Sequence, residues 1–328
     1  MYLVLLNYNL YIFSIWYNKY TTAMENSEIK QKKNHFGRFL RILGPGIVTG
    51  AADDDPSGIA TYSQAGAQFG FMMPWTMLFT LPLMTAVQEA CMRIGAVTGK
   101  GLAAVVREHY PKKILYPIVL LVVCANTLNI GSDIGAMAAS ARLIIPSIPF
   151  PVLAIVFALL IILLEVLIPY RTYIRILKWL AMALFAYFIT AFLIAVPWVD
   201  ALKSTLIPQI QFNKSFLYII VGIFGTTISP YLFFWQTSNV VEDSIAKHKI
   251  PQSGGIPKLT KSYLKNLRID NVVGMLFSNV TAWFIIIVGA VVLNHNGITN
   301  INSAADAARA LEPLVHTFPN AGFLAKLI

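Results

Sequence analysis

GPGIVTGAADDDPSGIATYSQAGAQFG, residues 44–70, begins and ends like a membrane-spanning helix. Its middle carries Asp53, Asp54 and Asp55, followed by Pro56, Ser57 and Gly58. A charged side chain at bilayer depth costs about 3 kcal/mol on insertion scales and more in simulations. Three in a row cannot face lipid. Proline removes a backbone donor and glycine loosens the helix, so the sequence predicts a break here. A broken helix inside a membrane frees carbonyl oxygens, which must be buried in protein or line a cavity. Carboxylates beside free carbonyls are the ligands a hard cation takes.

The rest of the chain fits a membrane setting. Of its 328 residues 57% are hydrophobic and 12% charged, with mean hydropathy +0.65. Soluble domains carry about 25% charged residues. The net charge of +10 does not point to nucleic acid, because the basic residues fall between apolar runs. Cys91 and Cys124 lie in apolar runs without ligand spacing, which supports neither a disulfide framework nor a zinc site.

Residues 1–43 read as a leader and cytoplasmic segment, and 44–328 as one transmembrane domain. The first 20 residues lack a basic start and a cleavage site, so they make a poor signal peptide. They read either as an interfacial segment or as sequence upstream of a start at Met24. Spans are expected at 44–69 (broken), 74–94, 115–145, 150–170, 174–198, 216–240 (broken) and 269–294. An eighth starts near 303, and the chain stops inside it, as a C-terminally truncated protein would. With the N-terminus inside, twenty Lys and Arg residues fall on the inner side and four on the outer, leaving Lys326 unassigned. That asymmetry sets a cytoplasmic N-terminus in a bacterial-type plasma membrane.

The run 216–240, FLYIIVGIFGTTISPYLFFWQTSNV, is interrupted by Gly222, Gly225 and Pro230, with Thr226, Thr227 and Ser229 beside the break. Pro230 alone reads equally as a kink in a packed helix. Two interrupted helices five spans apart instead point to an inverted-repeat transporter with a midplane site.

At these residues the chain resembles the NRAMP family of divalent-metal transporters. GPGIVTGAADDDPSGIATYSQAGAQFG is similar to the family's first helix with its Asp-Pro-Gly-Asn motif. VQEACMRIGAVTGKGLAAVVREHYP is similar to its second helix and the following loop. IGSDIG resembles its third-helix segment, GTTISPY stands at its sixth-helix Met-Pro-His motif, and SAADAARALEPL resembles the opening of its eighth. The resemblance implies an all-α LeuT-type inverted-repeat fold, with an incomplete second repeat. It implies that Asp55 binds the metal, with Ala52 and Thr226 offering backbone carbonyls. Gly58 stands where the family has a ligand asparagine and Ser229 where it has a ligand methionine. Tyr231 replaces a histidine. In the third helix Asp133 is kept, while Asn126 and Ala136 replace acidic residues linked to proton movement; an aspartate in an apolar helix reads either as an ion relay or as a structural partner for a nearby cation. These departures resemble the related branch associated with magnesium more than the proton-coupled iron and manganese members.

Methionine sulfur favours softer metals, and without it carboxylate, hydroxyl and carbonyl oxygens suit Mg²⁺ and Mn²⁺. Gly58 and Ser229 leave room for retained water. Asp54 is a further candidate ligand. Asp53 and Asp54 also read as a vestibule or helix terminus with one acid neutral. Gln88 and Glu89 read as a solvated inner helix end, and Met72, Met73, Met77 and Met84 as packing. The metal is cargo and no cofactor is expected. The expected partners are divalent cations and lipid, with no nucleic acid and no protein partner inferable. An intramembrane aspartyl enzyme or a non-transporting metal sensor are the competing classes. The enzyme reading leaves the second break unexplained.

Overall fold

The computed structural model describes residues 45–168, 170–246, 249–250 and 259–301. The leader and the run starting near 303 lie outside the described residues. Everything described is helix or connection. In chain order the helices are α1 (Pro45–Asp53), α2 (Pro56–Phe69), α3 (Trp75–Thr98), α4 (Leu102–His109), α5 (Lys112–Ile144), α6 (Phe150–Leu167) and α7 (Tyr170–Leu180). They continue as α8 (Phe185–Leu193), α9 (Trp198–Leu206), α10 (Lys214–Thr227), α11 (Pro230–Ala246) and α12 (Lys261–Val288). Short 3₁₀ turns join α2 to α3 and α7 to α8, and a π segment, Gly289–Asn294, follows α12.

Both expected breaks are present. α1 stops at Asp53 and α2 restarts at Pro56, while α10 stops at Thr227 and α11 restarts at Pro230. In each case proline occupies the first helical position, where its missing N–H costs nothing. Five stretches are long and apolar enough to cross a membrane: 112–142, 150–167, 175–193, 214–246 and 261–294. α3, with 24 residues, is long enough to cross at 1.5 Å per residue.

Other expected boundaries shift for local reasons. The run expected at 150–170 ends at Leu167, because Pro169 pushes Ile168 to extended backbone (φ −92°, ψ 123°). The single helix expected over 174–198 is two helices, α7 and α8, joined by the 3₁₀ turn at Ala181–Leu184. It ends at Leu193 ahead of Pro197, after which α9 begins. α3 runs one turn beyond 94 to a left-handed cap at Gly99 (φ 63°). α12 starts eight residues before the expected 269, because Thr260 accepts the Tyr263 N–H and caps it.

The core lies where α2, α3, α8, α10 and α12 meet. Tyr62, Met73, Met77, Phe216, Ile223, Ile285 and Ile286 are fully or almost fully buried there, with Phe188 against Phe284 at 4.4 Å between ring centroids. Met84 is buried as well, so the expected packing role of these methionines holds. α1 packs directly on α12, and the approach is backbone to backbone: a Cβ on Gly50 would fall on the Gly274 carbonyl. Small residues at helix contacts allow such approach in membranes. Gly46 N donates to Asp270 Oδ2 at 2.8 Å, Ser278 Oγ to Asp53 Oδ2 at 2.7 Å, and Thr49 Oγ1 to Gln236 Oε1 at 2.5 Å. These bonds fix the first half of the broken helix against α12 and α11. By contrast, α5 and α6 keep mostly exposed apolar faces, including Leu121, Leu128, Ile162 and Val166.

Candidate metal centre

The site grows out of the start of α2. Asp55 is its N-cap, in extended conformation (φ −70°, ψ 172°), and Pro56 opens the helix. Asp55 Oδ1 accepts the Gly58 N–H at 2.8 Å and the Ser57 hydroxyl at 2.7 Å. An acidic cap there is favoured twice, by the free N–H groups and by the positive end of the helix dipole. The anchor carboxylate is thus positioned by α2 itself.

Its second oxygen faces two other helices. Asn129 of α5 donates Nδ2–H to Asp55 Oδ2 at 2.9 Å, and Tyr231 of α11 donates its hydroxyl at 3.0 Å. The same Tyr231 hydroxyl lies 3.1 Å from the carbonyl oxygen of Ala52, in the last turn of α1. Ser57 also reaches Asn129 Oδ1 at 3.0 Å. Asn129 Nδ2 lies 3.5 Å from Asp133 Oδ2, one turn along α5, so a polar chain joins Asp55 to Asp133.

The structure brings Asp55, Ala52, Gly58 and Thr226 together. A Cβ on Gly58 would sit 2.9 Å from the Asp53 carbonyl oxygen, 3.4 Å from Thr226 Oγ1 and 3.5 Å from Asp55 Oδ1. Position 58 therefore admits a side chain only if the neighbouring backbone shifts. The second break is tied to the first through Tyr62, whose hydroxyl shares a 2.9 Å hydrogen bond with Thr227 Oγ1.

Ser229, Asp53 and Asp54 are buried close to the breaks. Ser229 Oγ, both oxygens of Asp54 and Oδ1 of Asp53 lack a hydrogen-bond partner. Such atoms are costly in a dry interior, so they mark places where a ligand or a water belongs. Asp133 Oδ1 is a further unpartnered oxygen, on the side of Asp133 turned from Asn129. Among the described residues no three His, Cys, Asp or Glu side chains converge. A cation here would draw on one carboxylate, carbonyls and hydroxyls, all hard oxygen donors.

Two contacts went unread in the sequence. Asn129 stands four residues before Asp133, one helical turn on the same face, and that spacing was the available signal. Tyr231 drew notice only as a substitution, yet it is the side chain that links the two broken helices at the site. Away from the site, Gln88 departs from expectation. It is fully buried on α3, with neither amide atom partnered, instead of lying at a solvated end. Glu89 bonds Arg93 at 2.5 Å and lies 3.3 Å from Arg268, joining α3 to α12.

A family model described as "Natural resistance-associated macrophage protein-like" (Nramp) matches residues 46–328. The divalent metal cation transporter MntH of Staphylococcus aureus strain JH9 is 25% identical over 295 residues, covering 88% of this chain. The MntH of strain Newman matches to the same degree. The chain spans 63% of the length of these relatives. Among solved structures, a mutant of the Eremococcus coleocola manganese transporter superposes with TM-score 0.66 at 17% identity, covering 90% of this chain and 66% of that one. The same transporter bound to an aromatic bis-isothiourea compound gives TM-score 0.64 at 17% identity over the same shares. This likeness establishes the shared fold of broken first and sixth spans.

Proposed function

The chain belongs to the Nramp family, and from that premise we propose that it moves divalent cations across a membrane by alternating access, with the ion held at Asp55 between the two breaks. The observation that carries the reading is geometric. The Asp55 carboxylate and the Ala52 carbonyl lie within hydrogen-bond reach of one and the same atom, the Tyr231 hydroxyl, so both oxygens face a single point. Ala52 lies in the last turn of α1, where carbonyls have no intrahelical partner and the helix dipole is negative. A cation at that point meets a full charge and a dipole end together, as in transporters built from discontinuous helices.

The proposed substrates are Mn²⁺ and Mg²⁺, with Fe²⁺ admitted. Hard oxygen donors support this range, and the Staphylococcus aureus relatives are described as divalent metal cation transporters. Thr226, Ser229 and Asp54 complete the proposed ligand set, directly or through retained water. Gly58 contributes no side-chain ligand, and its close approach to the Asp53 carbonyl leaves no room for one. The Asn129–Asp133 chain is the proposed relay away from the site. Weak or absent proton coupling is proposed from the neutral Asn126 and Ala136 on the same helix. The chain acts as a carrier, not as an enzyme, and its N-terminus faces the cytoplasm.

The test is uptake into proteoliposomes holding the full chain. Mn²⁺ influx that Mg²⁺ competes away is expected, with little acidification reported by an internal pH dye. Absence of influx of either ion refutes the transport reading. Strong metal-driven acidification refutes the uncoupled one.

A further inference from the structure

The anchor of the proposed site is already saturated by the protein's own donors. Ser57 Oγ and Gly58 N occupy Asp55 Oδ1, while Asn129 Nδ2 and Tyr231 OH occupy Oδ2. Three of these are supports. Ser57 and Gly58 belong to the first turn of α2, and Asn129 is held in turn by the Ser57 hydroxyl at 3.0 Å. A metal can share the carboxylate with donors that approach from its flanks.

Tyr231 differs in position. Its hydroxyl stands 3.0 Å from Asp55 Oδ2 and 3.1 Å from Ala52 O, between the charged and the neutral oxygen that a cation would share. One polar hydrogen between two acceptors is a weak stand-in for a positive ion. The hydrogen and a dication cannot both lie between the same two oxygens, because like charges would face each other at contact distance. We infer that the Tyr231 hydroxyl is a built-in competitor for the cation: it bridges Asp55 and Ala52 until the ion enters and displaces it. The inference rests on the metal site proposed above and assigns a residue that sets its affinity.

The backbone supports this role. Tyr231 is the second residue of α11, directly after Pro230, so its attachment point is fixed by the rigid first turn. The residue as a whole is half-buried. Displacement frees the first turn of α11 from the Ala52 end of α1, while the bond from Thr49 Oγ1 to Gln236 Oε1 still ties the two helices further along. Ion entry and the release of that first turn are therefore one event.

The experiment is equilibrium titration of the purified full chain with MnCl₂ and with MgCl₂, comparing wild type, Tyr231→Phe and Tyr231→Leu, with Asp55→Asn as the site control. Both Tyr231 variants remove the competitor, so each binds about tenfold more tightly, matching the loss of one charge-assisted hydrogen bond. Asp55→Asn abolishes binding. The thermal midpoint of the empty Tyr231→Phe protein falls while its affinity rises, and a merely structural tyrosine would not give that opposed pair. Unchanged or weaker binding in both Tyr231 variants, with wild type binding intact, overturns the inference and leaves the metal site standing. No binding by wild type overturns both.

Discussion

Asp55 carries two duties that one substitution series separates. It caps α2, and it supplies the formal charge nearest to the proposed ion. Asparagine caps helices as well as aspartate. In Asp55→Asn the remaining side-chain oxygen still accepts the Gly58 N–H, so the first turn of α2 survives. The new NH₂ group replaces Oδ2 and meets two donors, Asn129 Nδ2 and the Tyr231 hydroxyl. Tyr231 falls back on the Ala52 carbonyl at 3.1 Å, and Asn129 must turn its amide. A charge-assisted hydrogen bond contributes about 1.5–3 kcal/mol and a neutral one about 0.5–1.5 kcal/mol. Exchanging the first kind for the second costs about 2 kcal/mol in all. Asp55→Ala adds the lost cap, about 1 kcal/mol, and strands the Gly58 N–H for about 1–3 kcal/mol more. The expected thermal order, read by size-exclusion of heated detergent samples, is wild type above Asn above Ala. Radiolabelled Mn²⁺ uptake in proteoliposomes is expected to fall to background for both. An Asn variant that keeps uptake within about fivefold of wild type, at a barrier change of only about 1 kcal/mol, would refute the charge argument. An Asn variant as unstable as Ala would refute the capping argument.

Three further outcomes test the frame around the site. Gly50→Ala drives a methyl group into the Gly274 backbone, so it lowers the thermal midpoint by the equivalent of about 1–3 kcal/mol; Gly225→Ala, inside α10 with nothing within 4 Å of the new carbon, does not lower it. Ser278→Ala removes the hydroxyl that donates to the buried Asp53 carboxylate and costs about 1–3 kcal/mol by the same melt; an unchanged midpoint would show that Ser278 does not hold Asp53. On the exposed surface of α4, the hydrogen bond from Lys100, in the connection before it, holds the Glu108 carboxyl below the usual range. A depressed folded value means that any stabilisation is present above the unfolded value and fades as pH falls through the folded one. Because the pair is solvated, Lys100→Gln leaves the midpoint at pH 7 unchanged, and a clear drop there would contradict the exposed placement.

The breaks were legible because proline and glycine act on the backbone where they stand. Pro56 and Pro230 each open a half-helix, as their positions foretold. Proline also acts one residue upstream, and that was not allowed for: Ile168 ahead of Pro169 and Val196 ahead of Pro197 already lie outside helix. The start of α12 was hidden by charge. Lys261, Lys265 and Arg268 read as an inner loop, yet Thr260 caps a helix that carries them. Gln88 was hidden in the same way, because its neighbour Glu89 suggested water. On a helix adjacent residues point about 100° apart, so one can be buried while the next pairs with Arg93 and Arg268. The site was legible as far as it rests on single residues, such as Asp55. Contacts between helices, such as Asn129 and Tyr231 on Asp55, depend on which faces meet, and one chain's pattern does not encode that.

The two breaks explain each other through the ends they present. α1 and α10 bring C-terminal ends, with free carbonyls and negative dipole character, while α2 and α11 bring N-terminal ends. A cation placed by dipoles alone would be drawn to the first pair and repelled by the second. Asp55 reverses the sign at α2, because the carboxylate is stabilised by that N-terminus and then faces the Ala52 carbonyl with net negative charge. At α11 the equivalent position is Ser229, which is neutral and unpartnered, and Tyr231 follows with a hydroxyl. The site therefore has one charged wall and one neutral wall. The charged wall is fixed by the capping bonds of its own helix, whereas the first turn of α11 meets that wall through the Tyr231 hydroxyl and its two hydrogen bonds, and α11 is tied to α1 further along by Thr49 and Gln236. Under the proposed competition, an ion that replaces the Tyr231 bonds gains the carboxylate and frees the first turn of α11 in the same step. The proposed link between binding and movement at Tyr231 rests on that exchange, and the asymmetry between Asp55 and Ser229 gives the start of α11 as the part it frees.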